Sequence, residues 1–112
     1  MLENMNIASY CGGRKMPQIP NDKIIDKMEN MLNIASDSTR LKIMYALSDG
    51  ERNVSEIVEA VGASQSLVSH QLTVLRKANL VSTRKEKTKV YYALSDEHVM
   101  KLLDVVYEHV TE

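Results

Sequence analysis

The sequence contains no phenylalanine, no tryptophan and a single cysteine among its 112 residues. A hydrophobic core must therefore be built from leucine, isoleucine, valine and methionine. Cys11 cannot form a disulfide within the chain, and we interpret it as a free thiol. No apolar run approaches the ~20 residues that cross a bilayer, and no signal-peptide pattern is present. These absences favour a cytoplasmic protein without a membrane partner.

Motifs of catalysis are also missing. The sequence has no glycine-rich phosphate loop, no HExxH motif and no nucleophile with an evident base, so we do not expect an enzyme. The length fits one domain, and a lone chain of this size buries only a marginal core. A dimer that shares hydrophobic surface is therefore favoured.

Two regions are distinguished by their composition. The first 20 residues show no hydrophobic periodicity and contain two adjacent glycines and two prolines. We predict that residues 1–20 form a flexible N-terminal arm and that residues 21–112 form one folded domain.

Two helices are predicted at the start of this domain. Asn21 or Asp22 begins the first, whose apolar residues recur at steps of four, three and four along one stripe: Ile24, Met28, Met31 and Ala35. Ser36 or Asp37 caps the second, whose inward residues are Leu41, Ile43, Met44 and Leu47.

A helix-turn-helix follows. Asn53 can cap a helix that begins at Val54, with Glu56 as its reciprocal partner, and Gly62 suits the left-handed residue that closes it. After a two-residue link, Ser64 can cap a third helix. The predicted inward residues of that helix are Leu67, Val68, Leu72 and Leu75.

The hydrophobic period then changes from helical to alternating. Residues 81–84 alternate, residues 85–88 form a polar turn, and residues 89–94 favour a second strand, so we predict a hairpin with a basic tip. Ser95-Asp96 begins a last amphipathic helix, whose apolar residues are Val99, Leu102, Leu103, Val106 and Val110. The fold class is therefore α+β and mostly helical.

The outward face of the third helix consists of groups that form hydrogen bonds with base edges or phosphates. The net charge of −1 is weak evidence against nucleic-acid binding, but residues 76–89 contain six bases and one acid, a local balance of +5. As an alternative, the polar face of the third helix could simply be solvated, and the charged hairpin tip could be an ordinary soluble turn. Because both features follow a well-formed helix-turn-helix, we favour binding to double-stranded DNA. The predicted contacts are Ser64, Gln65, Ser66, Ser69, His70, Thr73, Arg84, Lys85, Lys87 and Lys89.

The last helix carries a metal-ligand pattern. His98, His109 and Glu112 are separated by 11 and 3 residues and form one stripe, with Asp96 at the helix start. Eleven residues span about 16 Å, so one helix cannot bring both histidines to one ion. An antiparallel second copy can, which predicts two four-ligand sites across a dimer. Solvent-facing or interface polar residues are the alternative.

Three segments resemble the ArsR–SmtB family of metal-sensing repressors: residues 37–43, 64–72 and 75–81. The resemblance covers about residues 25–112. It implies a winged helix-turn-helix fold, a homodimer whose interface is formed by the N- and C-terminal helices, and repression through operator binding.

The chain ending resembles the C-terminal-helix site of the zinc-sensing branch of that family. This resemblance implies that Asp96 and His98 of one chain bind zinc together with His109 and Glu112 of the other. It also implies that zinc or cobalt weakens operator binding; nickel is a further possible ion. The cysteine pair of the soft-metal sensors is absent between residues 53 and 58, and Ser38 replaces a usual proline.

Two other functions remain open. A winged-helix repressor could respond to redox state or a small molecule without metal, which would give Cys11 a larger role. An interaction module could bind zinc without binding DNA, although the polar face of the third helix argues against it.

Overall fold

The computed structural model of the chain describes residues 16–112, so most of the predicted arm and Cys11 lie outside the described residues. Five helices and three strands make up the described part. The helices are α1 (Asp22–Ala35), α2 (Ser38–Ala46), α3 (Val54–Val61), α4 (Gln65–Lys77) and α5 (Glu97–Thr111). The strands are β1 (Arg52–Asn53), β2 (Val81–Glu86) and β3 (Lys89–Leu94).

Each helix begins at a polar cap that the sequence predicted. The Asn21 side chain accepts a hydrogen bond from the Ile24 amide, and the Asp37 carboxylate accepts one from the Arg40 amide, both at 3.0 Å. These bonds satisfy amides that have no partner inside the helix. They fix where α1 and α2 begin.

Local capping interactions define where the two helices of the helix-turn-helix begin and where the first one ends. Asn53 and Glu56 form a reciprocal capping box at the start of α3. Gly62 ends α3 with a φ of +77°, a conformation that side chains with a Cβ rarely adopt. Ser64 then caps α4. The two-residue link therefore holds α4 at a defined angle to α3.

The hairpin formed by β2 and β3, which we call the wing, pairs with a third strand. The order of the antiparallel sheet is β1-β3-β2. Pattern analysis missed β1, because two residues are too few to show alternation. The turn is also tighter than predicted: only Lys87 and Thr88 lie outside the strands, and Lys87 adopts a left-handed φ of +56°.

The core lies where α2, α3, α4, β2 and α5 meet. Its buried members are Ile43, Met44, Leu47, Ile57, Val68, Leu72, Leu75, Leu80, Val81, Val99 and Leu103. One predicted core residue is wrong: Leu67 is 40% exposed, and Gln71 is buried in its place. At 100° per residue, Gln71 lies about 65° from the centre of the buried stripe and Leu67 about 105°.

Two helices contribute little or nothing to this core. None of the residues of α1 is buried, and its apolar stripe faces outward at Ile24, Ile25, Met28, Met31 and Leu32. In α5 only Val99 and Leu103 are buried, while Val105, Val106, Tyr107 and Val110 are exposed. Within residues 16–112, no helix is long and apolar enough to span a membrane.

Candidate nucleic-acid interface and metal centre

The exposed face of α4 contains the side chains that the sequence predicted for base and phosphate contacts. Ser64, Gln65, Ser66, Ser69, His70 and Thr73 are all exposed. Three of their hydroxyl groups are already engaged within the chain, since the Ser64 and Ser66 hydroxyls lie 3.5 Å apart. Ser64 Oγ accepts from the Leu67 amide at 3.2 Å, and Thr73 Oγ1 donates to the Ser69 carbonyl at 3.1 Å. The remaining polar groups of the face are available to a ligand.

Leu67 lies within this face as an exposed apolar side chain. Apolar contact with the C5-methyl group of thymine is one of the interactions by which a major-groove helix distinguishes bases. Sequence reasoning assigned Leu67 to the core, and a stricter measurement of its angle on the helix would have placed it outside.

The basic residues of the wing fall into two groups. Lys85, Lys87 and Lys89 are exposed and form no ion pair with any carboxylate of residues 16–112. Arg84, in contrast, donates to Glu51, which precedes β1, and to Glu86 at 2.7 Å. Its guanidinium also lies 4.9 Å from the centre of the Tyr91 ring. Three lysines therefore supply the uncompensated charge of the wing.

The Arg84 contacts change the protonation of both partners. Hydrogen bonds from the Arg84 guanidinium lower the pKa of the Glu51 carboxyl below its ordinary value. The hydrogen bonds to Glu51 and Glu86 raise the pKa of Arg84. Both groups are therefore charged throughout the physiological range, and the pair ties β2 to the segment before β1.

Two predicted metal ligands lie together at the start of α5. Asp96 Oδ1 accepts from the backbone amides of His98 and Val99, at 2.9 and 3.3 Å. His98 Nδ1 lies 3.5 Å from the same oxygen. Both side chains face solvent, with exposed fractions of 55% for Asp96 and 73% for His98. The second carboxylate oxygen and the other ring nitrogen make no hydrogen bond with residues 16–112.

The other two predicted ligands, His109 and Glu112, lie at the opposite end of α5 and are exposed. Among residues 16–112 of one chain, no three histidine, cysteine or acidic side chains are close enough to share a metal ion. Carboxylates and imidazoles are suitable ligands for zinc and its neighbours. A four-ligand site would need both ends of the helix, from two chains.

An apolar groove lies between α5, α2 and the end of α1. Its volume is about 380 Å³, and its walls include Leu32, Leu41, Val106 and Val110. Tyr45 on α2 donates to the Leu103 carbonyl at 3.2 Å and so fixes α5. Burial and the neighbouring Asp104 raise the pKa of the Tyr45 hydroxyl. The groove joins the exposed stripes of α1 and α5 into one apolar surface.

Comparison with known proteins shows similarity along most of the chain. The family model of bacterial regulatory proteins of the arsR family matches residues 37–83. The transcriptional repressor SmtB homolog of Synechocystis is 36% identical over 96 residues, which cover 86% of this chain and 73% of that protein. The cadmium resistance regulatory protein CadC homolog of Staphylococcus aureus is 40% identical over 78 residues, covering 69% and 64%.

A solved structure agrees with the fold. The homodimeric winged helix-turn-helix domain Mb0332 of Mycobacterium bovis, a possible ArsR-family regulator, superposes with a TM-score of 0.75 at 29% identity. The match covers 87% of this chain and 92% of that domain. The α+β winged helix-turn-helix fold is thereby confirmed. The prediction that the chain is not an enzyme is confirmed too, since these relatives are transcriptional regulators.

Proposed function

Because this chain belongs to the ArsR family of bacterial regulatory proteins, we propose that it is a dimeric repressor whose affinity for operator DNA falls when zinc binds between its C-terminal helices. The observation that carries the proposal is the meeting of Asp96 and His98 at the exposed start of α5, with His109 and Glu112 one helix length away. Such a repressor combines a DNA-reading helix, an apolar dimer surface and a set of metal ligands.

Binding to DNA uses α4 and the wing together. The polar face of α4 suits the major groove, where Gln65, Ser69 and His70 can exchange hydrogen bonds with base edges. The three free lysines of the wing bind phosphates on the flanking backbone. Arg84 ties the wing to the segment before β1 through Glu51.

The second copy of the chain covers the apolar surface of α1 and α5. Fourteen residues of α1 without a single buried side chain are unusual in a protein that exists alone. Burial of this stripe against its twofold equivalent stabilises the dimer through the hydrophobic effect. The homodimer of the similar Mb0332 domain supports the same assembly.

The metal site follows from this pairing when the two α5 helices run antiparallel. Asp96 and His98 of one chain then lie beside His109 and Glu112 of its twofold mate, and each dimer has two equivalent sites. The donor set fits zinc, because the Asp96–His98 pair is exposed and retains one free oxygen and one free ring nitrogen. Zinc with four protein ligands supplies a cross-link rather than a catalytic centre.

Metal and DNA then act on one another through the dimer. Cross-linked α5 helices fix the distance between the two α4 helices, which must enter major grooves ~34 Å apart. A dimer held at another distance binds the operator less tightly. Thermodynamic linkage requires DNA to weaken zinc binding by the same factor.

The test is a fluorescence anisotropy titration of an operator duplex, selected from a random library, with and without zinc. We expect zinc to weaken binding by a factor within the roughly 5–150-fold range of allosteric couplings. His109→Ala should lose the effect and keep the affinity of the metal-free protein. Equal affinities with and without zinc would contradict the proposal.

Asp96 both caps α5 and is a proposed zinc ligand, and the Asp96→Asn variant separates these two roles. Asparagine caps helices about as well as aspartate, so α5 should remain folded by circular dichroism while the ligand charge is removed. Elemental analysis should find two zinc ions per wild-type dimer. If the Asp96→Asn variant and the His109→Ala variant each still bind two zinc ions per dimer, the ions lie elsewhere.

A further inference from the structure

Gln71 is the only polar side chain of residues 16–112 that is buried in the core. It lies on the inner face of α4, next in sequence to His70 of the exposed face. A buried amide without partners is costly, and Gln71 has one: its Oε1 accepts from Arg40 Nη1 at 2.6 Å. This short, charge-assisted bond therefore fixes the inner side of the DNA-reading helix.

Arg40 also binds the end of α1. Its Nε donates to the Ile34 carbonyl at 2.6 Å, in the last turn of α1. Carbonyls of a last helical turn lack partners within the helix, and α1 has no basic residue of its own in that turn. Arg40 supplies that cation from α2.

The position of Arg40 is itself fixed. Its amide donates to Asp37 at the cap of α2, and its planar guanidinium presents several donors in a rigid fork. One side chain thus joins three helices: α1, which lies in the apolar dimer surface, α2, and α4, which reads DNA. None of the α1 side chains is fully buried, and its apolar packing against the core comes from the half-buried Ile34 and Ala35 at its end.

We infer that Arg40 and Gln71 are positioning residues that set the orientation of α4 relative to the dimer helix α1. A displacement of α1 at the dimer interface is transmitted to α4 through the two hydrogen bonds of Arg40. As a regulatory step the inference rests on the proposed function, whereas the α1–α4 linkage itself does not depend on metal.

The linkage can be measured as a distance. Nitroxide labels at Asp26→Cys on the outer side of α1 and Lys77→Cys on α4, in a Cys11→Ser background, report the separation of the two helices by pulsed electron resonance. Labelled chains mixed with excess unlabelled chains give one intramolecular distance. We expect one narrow distribution in the otherwise unchanged protein.

Variants separate positioning from stability. Arg40→Lys loses the fork and Gln71→Leu loses the acceptor, and each should widen the distribution roughly twofold because α4 is no longer bound to α1. Gln71→Glu retains an acceptor and should keep the narrow distribution. Ile57→Val shortens a core side chain away from the linkage and should also keep it. Unchanged widths in Arg40→Lys and Gln71→Leu, or equal widening in Ile57→Val, would overturn the inference.

The regulatory consequence is tested with the same variants. If zinc weakens operator binding in the wild type, Arg40→Lys should reduce that factor at least about fivefold, while Gln71→Glu and Ile57→Val retain it within twofold. Full retention in Arg40→Lys would overturn transmission through Arg40. Absence of any zinc effect in the wild type would refute the proposed function, and the distance measurement would still decide the linkage.

Discussion

Arg84 and Glu51 form an ion pair that joins the wing to the segment before β1. The pair is exposed, so its contribution to stability is small in ordinary salt. Its contribution depends on pH, because the pKa of Glu51 is lower in the folded chain than in the unfolded chain. Stability from this pair is therefore present above the ordinary glutamate pKa of about 4.3 and is lost as the pH falls through the lowered value.

Glu51→Gln tests this dependence. The variant should be slightly less stable than wild type at pH 7. The difference should shrink as the pH falls below the ordinary glutamate pKa of about 4.3, and it should be lost once the pH is below the lowered pKa of Glu51 in the folded chain. Urea unfolding at several pH values measures it. Glu59→Gln, at an exposed site without an ion pair among residues 16–112, is the control. A difference that grows on acidification would contradict the pairing.

At the level of single residues, the sequence predicted correctly which side chains of α4 are buried or exposed, except for Leu67 and Gln71. Val68, Leu72 and Leu75 are buried as their spacing indicated. Gln71 is buried because Arg40, 31 residues earlier, satisfies its amide. No local pattern contains that partner, so the burial of Gln71 could not be predicted from the sequence, whereas the angle of Leu67 on the helix already indicated exposure.

In the wing, the basic residues that could bind phosphates differ from the basic residue that forms ion pairs within the protein. Its tip carries three lysines that pair with no carboxylate of residues 16–112, while Arg84 is held between Glu51 and Glu86. Each lysine that neutralises a phosphate adds about 0.9 to the slope of log K against log salt concentration. The wing lysines and Arg84 should therefore contribute differently to the salt dependence of DNA binding, which can be measured by titration.

Lys87→Gln should lower that slope by about one unit and weaken binding almost equally for all DNA sequences. Arg84→Gln should change it less, since the guanidinium is already paired with Glu51 and Glu86. Lys101→Gln on α5 is the control and should leave the slope unchanged. Anisotropy titrations at four salt concentrations give the slope for each variant. An equal decrease of the slope in Arg84→Gln and Lys87→Gln would refute the difference between Arg84 and the wing lysines.

Helix boundaries were the most predictable elements. Asn21, Asp37, Asn53, Ser64 and Asp96 cap helices as expected, because a cap is a local interaction between neighbouring residues. Strand β1 was not predictable, since its two residues pair with Tyr91 and Tyr92 nearly 40 residues later. The hairpin was expected, but its turn is shorter than the polar composition of residues 85–88 indicated.

Over the whole molecule, opposite charges are concentrated in two neighbouring segments of the C-terminal third of the sequence. Residues 76–89 carry a balance of +5, and residues 96–112 carry five acids and one base. The first segment suits phosphates and the second suits cations. The proposed metal set was partly predictable from spacing, yet it needs two chains, and one chain holds only the Asp96–His98 pair together.

Dimerisation through α1 and α5 is tested by Val106→Glu. A charge in the exposed apolar surface should separate the subunits, so that the mass from analytical ultracentrifugation falls from two chains to one. Affinity for a two-half-site operator should fall by about 10²-fold or more, since bivalent binding is lost. Ala60→Glu, on the exposed side of α3, should remain dimeric. A dimeric Val106→Glu would place the interface elsewhere.

The pairing of β1 with β3 has a kinetic consequence for a protein on its operator. Asn53 pairs with Tyr91 of the wing through its backbone and begins α3 through its side chain, so the wing and the helix-turn-helix move as one body. In the proposed complex with DNA, α4 would occupy a major groove and keep the wing lysines at a high effective concentration beside the phosphates. On the proposed function, we therefore expect a wing lysine that leaves its phosphate to rebind before α4 leaves the groove, which would lengthen the residence time of each subunit.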